Sequence, residues 1–145
     1  MINEIGNIFL SISATLSLCM FSVIFFRKSL ATNIRFNFCK FFSISTSILI
    51  TLSFLILAYA FLIDDFSLRY VANNSNIDLE NIYKFSAVWG AHEGSILLWV
   101  LVMSIWCSLI IILSKNMPKT IIIDMISVMG LLLLFFLVFI LFSSN

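Results

Sequence analysis

Few residues in this chain could do chemistry, and they lie close together. The single histidine, His92, precedes Glu93 and stands near Trp89 and Trp99 in the string YKFSAVWGAHEGSILLW, Tyr83 to Trp99. An imidazole beside flat aromatic area suits a flat apolar ligand with an iron or carboxylate edge, such as haem. The plainer reading of the same residues is interfacial. Tryptophan is enriched where membrane meets water, a histidine at a helix end often only hydrogen-bonds or snorkels, and Glu93 then faces water. If a helix begins near Ser86, steps of three and four put Trp89, His92, Ile96, Trp99, Met103 and Trp106 on one face. Gly90 and Gly94 then form G-x-x-x-G on the opposite face, where another backbone can approach. No catalytic residue is legible. Cys19, Cys39 and Cys107 make no C-x-x-C, and one histidine cannot complete Cys2His2 ligation, so no metal site is expected.

The elements that must position these residues follow from composition. Of 145 residues, 62% are hydrophobic and 10% charged, against about 25% charged in an ordinary soluble domain. Four stretches, 5–26, 41–63, 95–113 and 121–142, are each near the roughly 20 apolar residues that a spanning helix needs. They lack the alternation of barrel strands, and hydrocarbon tolerates no unpaired backbone, so they are predicted as helices. The expected fold is an all-α integral membrane protein with four transmembrane helices. Residues 1–145 form one membrane domain, with a long connection over 64–94.

Charge orients the bundle. Arg27, Lys28, Arg35 and Lys40 crowd the first connection, and Lys115 and Lys119 mark the third. The second carries five acids (Asp64, Asp65, Asp78, Glu80, Glu93) against Arg69 and Lys84. By the positive-inside rule both termini and the 64–94 connection lie outside, on the periplasmic face. Glu4 at the start and bases after the first apolar run argue for a retained span rather than a signal peptide. A net charge of +1 excludes a polybasic nucleic-acid binder.

Smaller features carry their own expectations. RKSLATNIRFNFCK, residues 27–40, reads either as a solvated linker or as a segment laid on headgroups through its bases, Phe36 and Phe38. Ser11, Thr15, Cys19 and Ser22 share one face of the first helix, as Ser43, Ser47 and Thr51 do on the second, and such faces allow close helix approach. Pro118 suits the start of the fourth helix. Asp124, just inside it, reads as a carboxylate stabilised by the helix N-terminus.

Three strings carry a resemblance: YVANNSN (Tyr70 to Asn76), YKFSAVWGAHEGSILLW, and FSSN (Phe142 to Asn145). Together they resemble the beginning of the CcmF family, the haem lyase component of cytochrome c maturation, with its nitrite-reductase-linked NrfE relatives and the wider CcsA superfamily. The resemblance implies a multi-pass protein of the bacterial inner membrane, or of an organellar inner membrane. Such a protein takes haem from a periplasmic haem chaperone and joins its vinyl groups to the C-x-x-C-H thiols of apocytochrome c, alongside thioreduction partners. Family members are several times longer, and their tryptophan-rich haem-binding stretch and histidine ligands lie downstream of anything present here. The expectation is therefore a truncated or split N-terminal piece of a haem lyase, not catalytic alone, whose partner is the remaining CcmF-like chain. Haem belongs to the complete protein. On this sequence the family's periplasmic motif falls on Trp89, Gly90, His92, Glu93, Gly94, Ser95 and Trp99. His92, Trp89 and Trp99 are expected nearest the haem, and Gly90, Glu93, Gly94 and Ser95 serve packing. LENIYK, Leu79 to Lys84, departs from the family, which often has a proline there. Two other readings stand beside this one: a nonfunctional remnant of a decayed gene, and a small four-helix transporter, which normally needs an acid in mid-membrane.

Overall fold

The computed structural model describes residues 2–114 and 116–143, without the side chains of Ile2 and Asn3. Lys115 of the third connection and the last two residues of FSSN lie outside the described residues. Helix α1 runs Ile2–Ser22 and tightens into a 3-10 turn over Val23–Arg27. Then come α2, Thr32–Leu62; two short helices, α3, Arg69–Asn74, and α4, Asn81–Ala87; α5, His92–Leu113; and α6, Lys119–Ser143. Four of these are long and apolar enough to cross a membrane: α1 with its 3-10 extension, α2, α5 and α6. The fold is all-helical, with no strand among the described residues. It is a multi-pass membrane protein.

The four long helices close into a ring, α1 against α2, α2 against α5, α5 against α6 and α6 against α1. The short helices α3 and α4 cover one end, here termed the cap end, where α2 finishes and α5 begins. The opposite, basic end carries the two short connections. Met20, Ile50, Phe61, Val100, Ile123, Leu133 and Leu137 fill the middle, fully buried.

Small residues set the helix spacing, though not all of those predicted. The face of α1 turned inward is Leu10, Ser13, Ala14, Ser17 and Met20, while Ser11 and Thr15 face outward and bond back to the carbonyls of Asn7 and Ser11. The expected hydroxyl face is thus rotated away from the bundle, because the bulkier Leu10 and Met20 claim the interior. On α2 the expectation holds for Ser43, which is buried and contacts the Ser108 hydroxyl, itself donating to the Ser43 carbonyl at 3.2 Å. Gly130 on α6 makes the tightest crossing: a Cβ there would lie 2.8 Å from Met20 Cβ and 3.0 Å from the Ser17 carbonyl oxygen.

The basic connection is shorter than the sequence implied, since α2 begins at Thr32 rather than at 41. Arg35 is not laid on headgroups but buried, 2% exposed, with Nε donating to the Val23 carbonyl at 3.3 Å. That carbonyl sits where α1 tightens, so the guanidinium ties the end of the first helix to the start of the second. Lys119 donates to Asn33 at 2.9 Å and stands over the Phe36 ring, which joins α6 to the same corner. Pro118 lies one residue before α6 and accepts the Ile121 and Ile122 N–H groups. Asp124 is not alone, because Arg27 approaches it to 3.9 Å.

Gly130→Ala is expected to lower stability by about 1–3 kcal/mol, because backbone on α1 must shift to admit the methyl group. Gly6→Ala, whose Cβ would meet Ser53 Oγ at 3.7 Å and Ile56 Cγ2 at 3.8 Å, both ordinary contact, is expected to be neutral or slightly stabilising through helix propensity. Thermal unfolding of both variants in detergent measures the contrast.

Candidate functional site

The helix predicted from Ser86 onward is broken. After α4 ends at Ala87 the chain turns through Val88 to Ala91, and α5 starts afresh at His92. Trp89 and Gly90 therefore belong to a turn, and Gly90 and Gly94 do not share a helix face. Ala91 is extended, with φ −115° and ψ 172°, and offers no side chain to cap α5. The first N–H groups of any helix have no partner inside it, and an N-cap hydroxyl or carboxylate normally accepts one of them.

Here a tyrosine from another element does so. Tyr70, on α3, accepts the Gly94 N–H at 3.1 Å and donates to the Val88 carbonyl at 3.1 Å. Burial pushes its phenol above the ordinary value, and nearby Glu93 adds to the rise, so at neutral pH the hydroxyl keeps the proton it donates. Its ring packs edge-on against Phe61, centroids 5.5 Å apart. One side chain thus closes the turn and caps the helix, joining the string YVANNSN to the string WGAHEGS. Gly94 is buried, and a Cβ there would run into the Val88 carbonyl and the Tyr70 hydroxyl. Gly90 is exposed, and a Cβ there would meet only the Ala87 backbone at 3.5 Å, ordinary contact.

A second contact fastens the cap. α2 ends with Asp64 in the left-handed region, φ 54°. The Asp65 N–H bonds the Ala60 carbonyl at 3.0 Å and the Asp64 N–H bonds that of Phe61 at 3.4 Å. This is a Schellman ending with aspartate where glycine is usual. Its carboxylate receives the ammonium of Lys84, from α4, whose side chain is 6% exposed. Of the two bases in this connection, one is therefore a buried structural partner.

A cleft of about 580 Å³ opens beside the cap, between the ends of α1, α2, α5 and α6 and the residues around α3. His92, Glu93 and Gly94 line it, and so do Arg69, Tyr70 and Asn73. His92 is exposed, with its ring edge toward Phe139 at 6.3 Å between centroids. Trp89 packs edge-on against Phe85 at 5.2 Å and Trp99 is 68% exposed on the outer surface of α5; neither lines the cleft. His92 and Trp99, seven residues apart, form an outward stripe on α5. Ser95 donates to the His92 carbonyl at 2.8 Å within the first turn. The structure thus gathers His92, Glu93 and Gly94 and leaves Trp89, Gly90 and Trp99 on other surfaces. Tyr70, Asp64 and Lys84 were not singled out as site residues. The one signal for a tertiary cap was the absence of Ser, Thr, Asp or Asn before His92.

A CcmF cytochrome c-type biogenesis protein of Haemophilus influenzae is 35% identical over 147 aligned residues, covering 100% of this chain and 22% of its own length. The CcmF of Escherichia coli is 48% identical over 93 residues, 64% of this chain and 14% of that protein. NrfE of Haemophilus influenzae is 43% identical over 95 residues, 66% of this chain and 15% of that protein. A solved structure of the cytochrome c haem lyase CcmF superposes with a TM-score of 0.85 over 94% of this chain and 23% of that one, at 24% identity, which speaks for the fold. No protein-family model matches. This chain resembles the N-terminal part of CcmF. It spans 22% of the length of the Haemophilus influenzae CcmF and 23% of the solved CcmF chain.

Gly94→Ala is expected to destabilise the cap end strongly, by about 2–4 kcal/mol, while Gly90→Ala stays within about 0.5 kcal/mol of the parent. Tyr70→Phe strands the buried Gly94 N–H and should cost about 1–3 kcal/mol. Amide hydrogen exchange of residues 88–95 reads both effects locally. Lys84→Met should cost about 3 kcal/mol by leaving Asp64 unpaired, and adding Asp64→Asn should recover part of it. Unfolding midpoints of the single and double variants measure that recovery.

Proposed function

We propose that this chain supplies the first four spanning helices and the periplasmic cap of a CcmF-type cytochrome c haem lyase. It acts in haem delivery and covalent attachment to apocytochrome c, together with the rest of such a protein. The observation that carries this reading is the similarity to CcmF along the whole of this chain, combined with the fit of its two most distinctive strings into one hydrogen-bonded cap. The charge bias supports a periplasmic cap and an inner membrane, bacterial or organellar.

The residues here do not make a haem site by themselves. There is one imidazole, which offers at most one axial bond, and the tryptophans expected beside it do not line the cleft. In our reading the haem is held by the remainder of the protein, and this chain contributes a rigid platform. His92 above Trp99 then forms the stripe of α5 nearest to that haem, while Gly94 and Ser95 fix the first turn beneath it. The partners are the remaining CcmF-like chain, the haem chaperone, the thioreduction components and apocytochrome c. Catalysis needs that remainder.

In a strain that depends on this chain, Gly94→Ala is expected to cut haem-stained cytochrome c severalfold while apocytochrome persists, and Gly90→Ala is expected to leave it near normal. Maturation left unchanged by Gly94→Ala in that strain would overturn the reading. For orientation, a cysteine at Ile77, which is 70% exposed on the cap, should react with an impermeant maleimide added outside. One at Lys28 should react only after permeabilisation.

A further inference from the structure

The cleft at the cap end has two chemically distinct parts. Its floor, the side toward the bundle, is mainly apolar, with Leu10 from α1, Ile56 and Leu57 from α2, Leu97 from α5 and Ile140 from α6; among them lie Asn7 and Ser53, whose hydroxyl is already bonded to the Gly6 carbonyl. Its rim carries Arg69 from α3 and Glu93 from α5, with His92 beside them. Arg69 and Glu93 line the same cleft, yet neither side chain has a hydrogen bond or ion pair among the described residues, and they do not pair with each other. Lys84 and Asp64, close by, show how this fold pairs charges that it uses for its own stability.

An apolar floor at the end of a membrane bundle, under a rim of opposite and unpaired charges, selects a ligand with an apolar body and a head of both signs. We infer that the cleft binds one zwitterionic phospholipid whose head carries a primary ammonium. Its phosphate meets the Arg69 guanidinium, and its ammonium donates to the Glu93 carboxylate. Charge-assisted hydrogen bonds of this kind are about twice as strong as neutral ones. A quaternary choline head has no N–H to donate to Glu93. A glycerol head satisfies Arg69 but offers Glu93 only neutral hydroxyl donors, which leaves the carboxylate's charge uncompensated. The acyl chains extend along the floor toward the membrane, whereas the head alone, as a soluble ester, lacks that apolar contact.

Native mass spectrometry of the full chain in detergent, with equal palmitoyl-oleoyl phosphatidylethanolamine, phosphatidylcholine and phosphatidylglycerol, tests this. One phosphatidylethanolamine per chain should be retained about fivefold over either competitor, a difference within reach of a single charge-assisted contact. Arg69→Gln should abolish the retention, and Glu93→Gln should shift it toward phosphatidylglycerol. Lys28→Gln, at the other end of the bundle, should leave it unchanged, and matching unfolding curves for all three variants establish that they fold. Equal retention of the three lipids, or retention indifferent to Arg69, overturns the inference. So does displacement by glycerophosphoethanolamine, which would make the soluble head the ligand, or Arg69-dependent displacement by equimolar haemin, which would make the cleft a haem site.

Discussion

A helix that starts at a membrane surface exposes backbone N–H groups which must find acceptors, and α5 begins without an acceptor of its own. Everything distinctive at the cap end follows from how that is met. With alanine at the N-cap position, the acceptor comes from Tyr70, twenty-four residues earlier. For the hydroxyl to reach the Gly94 amide, α3 must lie against the turn at Val88, and residue 94 must have no side chain to block the approach. The short helices over the cap are therefore held by helix-end chemistry more than by area, since α3 and α4 have only a few buried residues between them. Lys84 and Asp64 complete this arrangement from the other side. The positive φ that ends α2 aims a carboxylate inward, where a base from α4 neutralises it.

The basic end meets the same constraint differently. There α1 tightens into a 3-10 turn, and the Val23 carbonyl released by that change is taken by Arg35 from the next helix. Both ends of the bundle thus rely on long side chains reaching across elements, Tyr70 at one and Arg35 at the other. The groups they bond, at Gly94 and Val23, are buried, so removing either side chain would leave a buried polar group unpaired. Between the ends, spacing depends on size: Gly130 against Met20 and Ser17, and Ser43 against Ser108, bring backbones close enough for dispersion to hold helices that no hydrophobic effect draws together.

The spans were legible because length and hydropathy alone decide them, and the four apolar runs appear as four helices. The functional strings were legible as strings, through their resemblance, but their geometry was not. Periodicity extended α5 back to Ser86, because nothing in AVWGAH forbids a helix; the break at Val88 is bonded by Tyr70, a residue distant in sequence. Arg35 seemed part of a basic linker because its bond partner, Val23, belongs to the preceding helix. The hydroxyl face of α1 was misplaced for a similar reason. Helical spacing says which residues share a face, but only Leu10 and Met20, packing on α2 and α6, decide which face turns inward.

The two glycines of the motif show how unequal neighbouring residues in one string can be. Read as G-x-x-x-G they are equivalent, each a site where a foreign helix could approach. In the folded chain Gly90 is an exposed turn residue, while Gly94 is the point at which α5, the Val88 turn and α3 meet. A helix packing motif would place the specificity of this segment in a partner. The tertiary cap instead places it within the chain, where Tyr70 and Gly94 must be matched to each other before His92 and Glu93 can stand at the edge of the cleft. The string around His92 is thus the visible half of a two-part structure. YVANNSN supplies the other half, and neither string fixes the positions of His92 and Glu93 without the other.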